Sequence, residues 1–258
     1  MTTMVVQGSH LMVRLLRAML RQPYYLAVSL TQPIIWLLLF GQLFKNVTEI
    51  PGFATSSYID FLTPGVVVMT AMYSNGWSGM NYVVDIERGV LDRFLISPVR
   101  RESLIGGQLA YNAVLTLVQS FIIIALGLIA GARFHGGPLV MALFIVAVLL
   151  LGMAFSSFSD AMGLLLRQEA SVVAVVNFVV LPLSFLSTVF MPAGLLPHWI
   201  RVVARFNPVN WAVEVGRQTL TGNVDWTLVG SHLGYLAALA LALAWLATRA
   251  FRSYQRSV

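Results

Sequence analysis

The sequence predicts an all-α membrane protein with six transmembrane helices, on three observations: its composition, six long uncharged runs, and the side on which its arginines fall. Of 258 residues, 58% are hydrophobic and 10% charged, against roughly 45–50% and about 25% in soluble domains. That excludes a soluble globular fold. A hydrocarbon core of about 30 Å takes about 20 apolar residues to cross as a helix. Uncharged runs, with His counted as neutral, lie at Tyr24–Phe44, Phe61–Val84, Leu104–Ala132, Phe134–Ser159, Ala170–Ile200 and Trp226–Thr248. They give spans at 24–44, 61–84, 104–132, 136–159, 170–191 and 226–248 in a single domain, 1–258.

Eleven of the sixteen basic residues (Arg14, Arg17, Arg21, Arg88, Arg93, Arg100, Arg101, Arg167, Arg249, Arg252 and Arg256) fall on one side, and Lys45, Arg133, Arg201, Arg205 and Arg217 on the other. The bias places both termini in the cytoplasm, as an even number of spans requires. The net charge of +6 is therefore a matter of membrane orientation, and no nucleic-acid partner is expected. No cleavage pattern precedes the first span, so no removable signal peptide is expected. Fifteen arginines against one lysine point to a GC-rich genome, hence a bacterium and its plasma membrane.

Ahead of the first span, His10, Arg14, Arg17 and Arg21 recur at helical spacing. Residues 4–22 are read as an amphipathic interfacial helix, anchored in anionic headgroups or docking a cytoplasmic partner. The loop after span two is the most charged stretch. Its Leu91, Phe94 and Leu95 fall at i, i+3, i+4, flanked by Arg88, Asp92 and Arg93, and Ser97–Pro98 ends the helix they predict. After span five, Pro192, Pro197 and Pro208 divide residues 192–222 into short outer helices, the second carrying Glu214 and Arg217 at pairing distance. Irregular backbone at that depth must be covered by protein or line a wet cavity.

The chemistry is limited by what is missing. Without cysteine there is no disulfide, thiolate metal site or thiol nucleophile. Lys45, the one lysine, sits at the outer end of span one, so no phosphate-binding loop of the G-x-x-x-x-G-K-[ST] type exists. The four histidines are scattered, so no metal or cofactor site is expected on this chain. Asp160 follows a long apolar run and is expected at the cytoplasmic headgroups, which leaves no carboxylate at mid-membrane. Gly76-Trp77-Ser78-Gly79 matches the short serine motif of rhomboid-type intramembrane proteases, with His232 as the only candidate base. Helix packing by small residues explains the same string. Asn75 and Asn177, deep in their spans beside Trp77 and Phe178, suit either interhelical hydrogen bonds or, with Phe185, a path for amphipathic solutes.

Three strings in order, YIDFLTPG from Tyr58, ERGVLDRFLISPVRRESLIGGQL from Glu87, and PLSFLSTVFMPAGLLPHWIRVVARFNPVNWAVEVGRQTLTG from Pro182, resemble the ABC-2 type transporter permeases. That family includes daunorubicin-resistance exporter subunits and polysaccharide exporter permeases, with the type V exporter fold. The resemblance implies a permease that pairs with a second copy or a related permease and sits on two cytoplasmic ABC ATPases, which hold the ATP and Mg. It implies that 87–101 is a coupling helix, whose contacts would be Glu87, Arg88, Gly89, Leu91, Asp92, Arg93, Phe94, Leu95, Pro98 and Arg101. It further implies that 4–22 is a connecting helix with Arg14, Arg17 and Arg21, and that the outer helices with Pro208, Glu214 and Arg217 form an outer gate. Spans one, two and five would face the partner permease and a substrate path past Asn75, Trp77, Asn177, Phe178 and Phe185. The expected function is export of a hydrophobic or amphipathic, drug- or lipid-like compound, powered by the separate ATPase, with membrane lipid as the other contact. An intramembrane serine hydrolase using Ser78 and His232, or a channel or scaffold subunit without an ATPase, are the other readings.

Overall fold

The computed structural model describes residues 23–50, 53, 57–90, 101–221 and 223–255. The interfacial helix expected at 4–22 and residues 91–100 of the coupling segment lie outside the described residues. Every regular element described is helical: α1 Pro23–Ile35, α2 Tyr58–Gly76, α3 Gly79–Glu87, α4 Arg101–Ile129, α5 Gly137–Leu166, α6 Glu169–Phe185, α7 His198–Ala204, α8 Pro208–Arg217 and α9 Trp226–Gln255. Among the described residues three stretches are long and apolar enough to cross a membrane unaided: Gly106–Ile129, Gly137–Leu166 and Trp226–Tyr254. Ala27–Leu43 and Glu169–Phe185 are shorter apolar helices. The protein is an all-α, multi-pass membrane protein.

α2 lies at the centre. Sixteen of its nineteen residues are buried, as for a helix that is apolar all round and walled by other helices. Its hydroxyls are hidden by back-bonding: Thr63 Oγ1 donates to the Ile59 carbonyl and Thr70 Oγ1 to that of Val66, each at 2.7 Å. The run read as one span at 61–84 is two helices, interrupted at Trp77–Ser78 where α2 gives way to α3. α1 is irregular for a different reason. Pro33 lacks an N–H for the carbonyl a turn earlier, and the helix widens into a π turn at Trp36–Phe40 before Gly41–Leu43.

α5 spans 30 residues, about 45 Å of helix at 1.5 Å per residue, and α9 runs along it. Lipid tails are as apolar as leucine, so close backbone approach and interhelical hydrogen bonds hold such helices together. Among the described glycines the closest approach is at Gly79 and Gly163. A Cβ on Gly79 would stand 2.0 Å from the Ser159 carbonyl oxygen, and one on Gly163 would stand 2.3 Å from the Gly79 carbonyl oxygen.

The turn before α5 is pinned to α8's exit, with the His135 and Gly136 N–H groups both donating to the Thr219 carbonyl at 2.8 Å. Asp60, at the start of α2, accepts from the Arg133 N–H at 2.9 Å. Asn207 caps α8 through its Oδ1, which accepts from Val209 N–H at 2.9 Å, with Pro208 in the first helical position. Its amide also donates to the carbonyls of Leu183 and Leu186 at 2.8 and 2.9 Å, closing the end of α6. Asn207→Ala is therefore expected to cost about 2 kcal/mol, the upper range for a lost cap, read as a lower thermal midpoint in detergent.

Candidate functional site

Between α1, α2 and α6 lies a cavity of about 450 Å³. α1 and its π turn contribute Gln32 and Trp36, α2 contributes Thr70 and Tyr73, the α2–α3 link contributes Trp77, and α6 contributes Asn177 and Leu181. Trp36 meets Tyr73 edge-on, ring centroids 6.0 Å apart, and Ser184 Oγ lies 3.3 Å from the Tyr73 hydroxyl. None of the described lining residues is charged. The wall combines broad aromatic faces with a few amides and hydroxyls, a composition that binds apolar bodies and orients them through few polar groups.

Trp77 and Asn177 thus share this cavity. Asn75 does not line it. Its side-chain amide donates to Thr116 Oγ1 at 2.8 Å and to the Ala71 carbonyl at 2.7 Å, joining α2 to α4. Phe178 and Phe185 stand on the outside of α6, 80% and 69% exposed. Trp36 is a lining residue that the sequence did not single out, whereas Gln32 and Tyr73 stand out in it as a polar group inside span one and an aromatic neighbour of Asn75. The spacing of Gln32 and Trp36, one turn apart on either side of Pro33, is the signal that could have found Trp36.

A second polar group occupies the α2–α3 break. Ser78 Oγ donates to Asp160 Oδ1 and lies 2.9 Å from Ser156 Oγ, which in turn accepts from the Asn112 amide at 2.6 Å. The Gly79 N–H donates to Ser159 Oγ at 2.9 Å. Asp160, expected at the cytoplasmic headgroups, is 1% exposed and enclosed by hydroxyls from α5 and the break. Ser156 lies one turn earlier on the same helix and Ser78 in the break between α2 and α3, and the two supply the hydrogen bonds that a buried carboxyl requires.

The same geometry overturns the hydrolase reading. Ser78 is bonded to Asp160, whereas His232 Nε2 lies 3.4 Å from Glu214 on α8 and its ring packs beside Tyr235. A serine nucleophile needs a base within hydrogen-bond reach, and these two belong to separate networks.

The outer residues form a continuous chain across four elements. Arg217 donates to Thr188 Oγ1 at 2.7 Å and to the Thr188 carbonyl, and its guanidinium lies 3.9 Å from the centre of the Phe61 ring on α2. Thr188 is bonded to Asn210, the Asn210 amide to Glu214 at 2.8 Å, and Glu214 to His232 on α9. Glu214 and Arg217 do not form the expected i, i+3 pair, because each is taken by a partner outside its own helix. Loss of water draws the Arg217 guanidinium down to about 9, with the Glu214 carboxylate opposing that shift. Pro208 starts α8 and so sets the register that brings these side chains together.

On the opposite side Glu87 ends α3 and Arg88 caps it, its N–H bonded to the Val84 carbonyl at 3.0 Å. Gly89 follows at φ 63° with its N–H on the Ile86 carbonyl, the left-handed exit that glycine makes without strain. This turn precedes the segment expected to form the coupling helix. Leu91, Asp92, Arg93, Phe94, Leu95 and Pro98, the side chain of Arg101, and Arg14, Arg17 and Arg21 lie outside the described residues.

A multi-pass helical protein with an uncharged amphipathic cavity and no nucleotide-binding loop is built as a permease. The chain belongs to the ABC-2 type transporter family, which matches residues 6–221. It is 31% identical over 225 residues to the ycf38 transport permease of Porphyra purpurea, covering 86% of this chain and 76% of that one. It is 27% identical over 231 residues to the daunorubicin-resistance ABC transporter permease DrrB1 of Streptomyces coeruleorubidus, covering 90% and 81%. It is 25% identical over 224 residues to the inner membrane transport permease YadH of Escherichia coli K12, covering 83% of each. The protein is accordingly a membrane permease subunit of an ABC-type transporter, a transport subunit and not itself an enzyme.

Proposed function

We propose that this permease exports a hydrophobic or amphipathic, drug- or lipid-like compound across a bacterial plasma membrane, together with a second permease copy and two cytoplasmic ABC ATPases that hold ATP and Mg. Six spans with both termini cytoplasmic carry it: α1, α2 continued by α3, α4, α5, α6 and α9, with α7 and α8 as short re-entrant helices at the outer face. Residues 87–101 couple to the ATPase and 4–22 connect to it. The Arg217 chain holds α8 against α2 and α9 as the outer gate.

The observation that carries this reading is the cavity between α1, α2 and α6, whose described walls hold aromatic faces and neutral hydrogen-bonding groups but no charge. A substrate with an apolar body and few polar groups fits such a wall, whereas an ionic solute would lose its hydration without a counter-charge. The Streptomyces relative's link to daunorubicin resistance supports the drug-like class. For ATP to drive export, substrate and nucleotide must each bind one conformation better than the other.

Titrating daunorubicin into the purified complex is expected to quench tryptophan fluorescence saturably, through Trp36 and Trp77. Asn177→Ala is expected to weaken binding about fivefold, the loss of one hydrogen bond of about 1 kcal/mol. A quench that never saturates, or one unaffected in both Asn177→Ala and Trp77→Phe, refutes this site.

A further inference from the structure

The end of α9 carries a feature outside the transport site. Ala247, Ala250, Phe251 and Tyr254 turn inward and pack with Tyr82, Ala161 and Leu164. The opposite face therefore points away from the bundle. On it, Trp245, Thr248, Arg249, Arg252 and Ser253 are the described residues lining a hollow of about 520 Å³. Their spacing of three, one, three and one places them on one stripe of the helix.

We propose that this stripe is a binding site for one anionic phospholipid, with its phosphate held by Arg249 and Arg252. Neither guanidinium has a hydrogen bond or ion pair within the described residues, and Arg249 is positioned over the Trp245 ring, 5.3 Å from its centre. Two arginines one turn apart, with the Ser253 hydroxyl beside them, present donors suited to a phosphodiester. Continuity of the stripe selects a lipid over a soluble anion or a protein partner. Leu241, one turn before Trp245, is 73% exposed and Trp245 is 61% exposed, so an apolar track leads straight into the basic end. An acyl chain lies along Leu241 and Trp245 while the headgroup meets the arginines, with the indole at the depth where tryptophan collects in bilayers. The basic stretch before span one, with Arg14, Arg17 and Arg21, offers no negative group of its own to occupy the site.

The test uses the full chain purified in detergent, stripped of lipid and titrated with phosphatidylglycerol or with phosphatidylcholine of the same acyl chains. Native mass spectrometry counts the lipids retained, and thermal unfolding reads stabilisation. The expected result is one tightly retained phosphatidylglycerol and a raised midpoint, neither given by phosphatidylcholine or by inorganic phosphate. Arg249→Gln with Arg252→Gln is expected to weaken retention about thirtyfold, from about fivefold per arginine near an anionic headgroup. The variant's midpoint without lipid should stay at the wild-type value, because both side chains lie outside the packed face. Leu241→Gln is expected to weaken retention with both arginines intact. Equal retention of phosphatidylcholine, full protection by phosphate alone, undiminished binding in the double variant, or loss of ATPase association with lipid retention unchanged would each overturn the site.

Discussion

Replacing Leu91 and Phe94 with glutamate is expected to lower ATP-driven transport at least a hundredfold while membrane insertion stays normal. On the proposed topology both residues lie in the cytoplasmic segment between spans two and three, so neither the apolar runs nor the arginine bias is altered. In the helix expected there, their i, i+3 spacing would offer one apolar edge to a partner. Truncating such an anchor costs about 2–4 kcal/mol, and a carboxylate in its place is also left desolvated and unpaired. The two changes together remove more than the roughly 2.7 kcal/mol that a hundredfold loss represents. Efflux from inverted vesicles containing the co-expressed ATPase is the measurement, with membrane content checked by immunoblot. Transport at the wild-type rate in the double variant refutes the coupling assignment of 87–101.

Gly79→Val is expected to prevent recovery of folded, monodisperse protein. The Cβ would stand 2.0 Å from the Ser159 carbonyl oxygen and 2.5 Å from its carbon, and a helix backbone cannot yield locally as a side chain can. α3 and α5 would have to separate, breaking the Gly79 N–H to Ser159 bond and the Ser78–Asp160 pair. Overpacking costs about 1–3 kcal/mol, and a buried polar group left unsatisfied costs a similar amount again. Gly234→Ala is the control. Its added Cβ meets nothing within 4 Å, and alanine is the better helix former by about 0.5–1 kcal/mol. Size-exclusion chromatography and thermal unfolding should separate the two, and a monodisperse Gly79→Val protein with an unchanged midpoint would contradict this account of the crossing.

The membrane class was legible because it depends on composition and run length, both one-dimensional properties. The prolines at 192, 197 and 208 likewise marked where the outer segment breaks into α7 and α8, since each acts through its own backbone. What escaped depends on which faces meet. The break at Trp77–Ser78 lies in an unbroken apolar run, and its glycines look the same whether they bend a helix or admit a neighbour. Asp160 was assigned to the headgroups from the length of its own run, which carries no sign of its partner Ser78 in the break between α2 and α3. For the same reason Glu214 and Arg217, paired on paper by spacing, turn to His232 and Thr188 instead. Within the cavity Trp77 and Asn177 could be named from depth and neighbours. That Gln32, Trp36 and Tyr73 share the wall with them required knowing that α1, α2 and α6 enclose a common space.

The central claim is that this permease works on a separate ATPase seated on its cytoplasmic segments, and it is tested most directly by purifying the tagged chain from its native membranes in mild detergent. The account predicts a soluble partner in stoichiometric amount, with vanadate-sensitive ATPase activity, that is lost when Phe94 is changed to glutamate. Recovery of the chain alone and intact, in detergents that preserve other complexes of this kind, or retention of the partner by the Phe94→Glu variant, would contradict it.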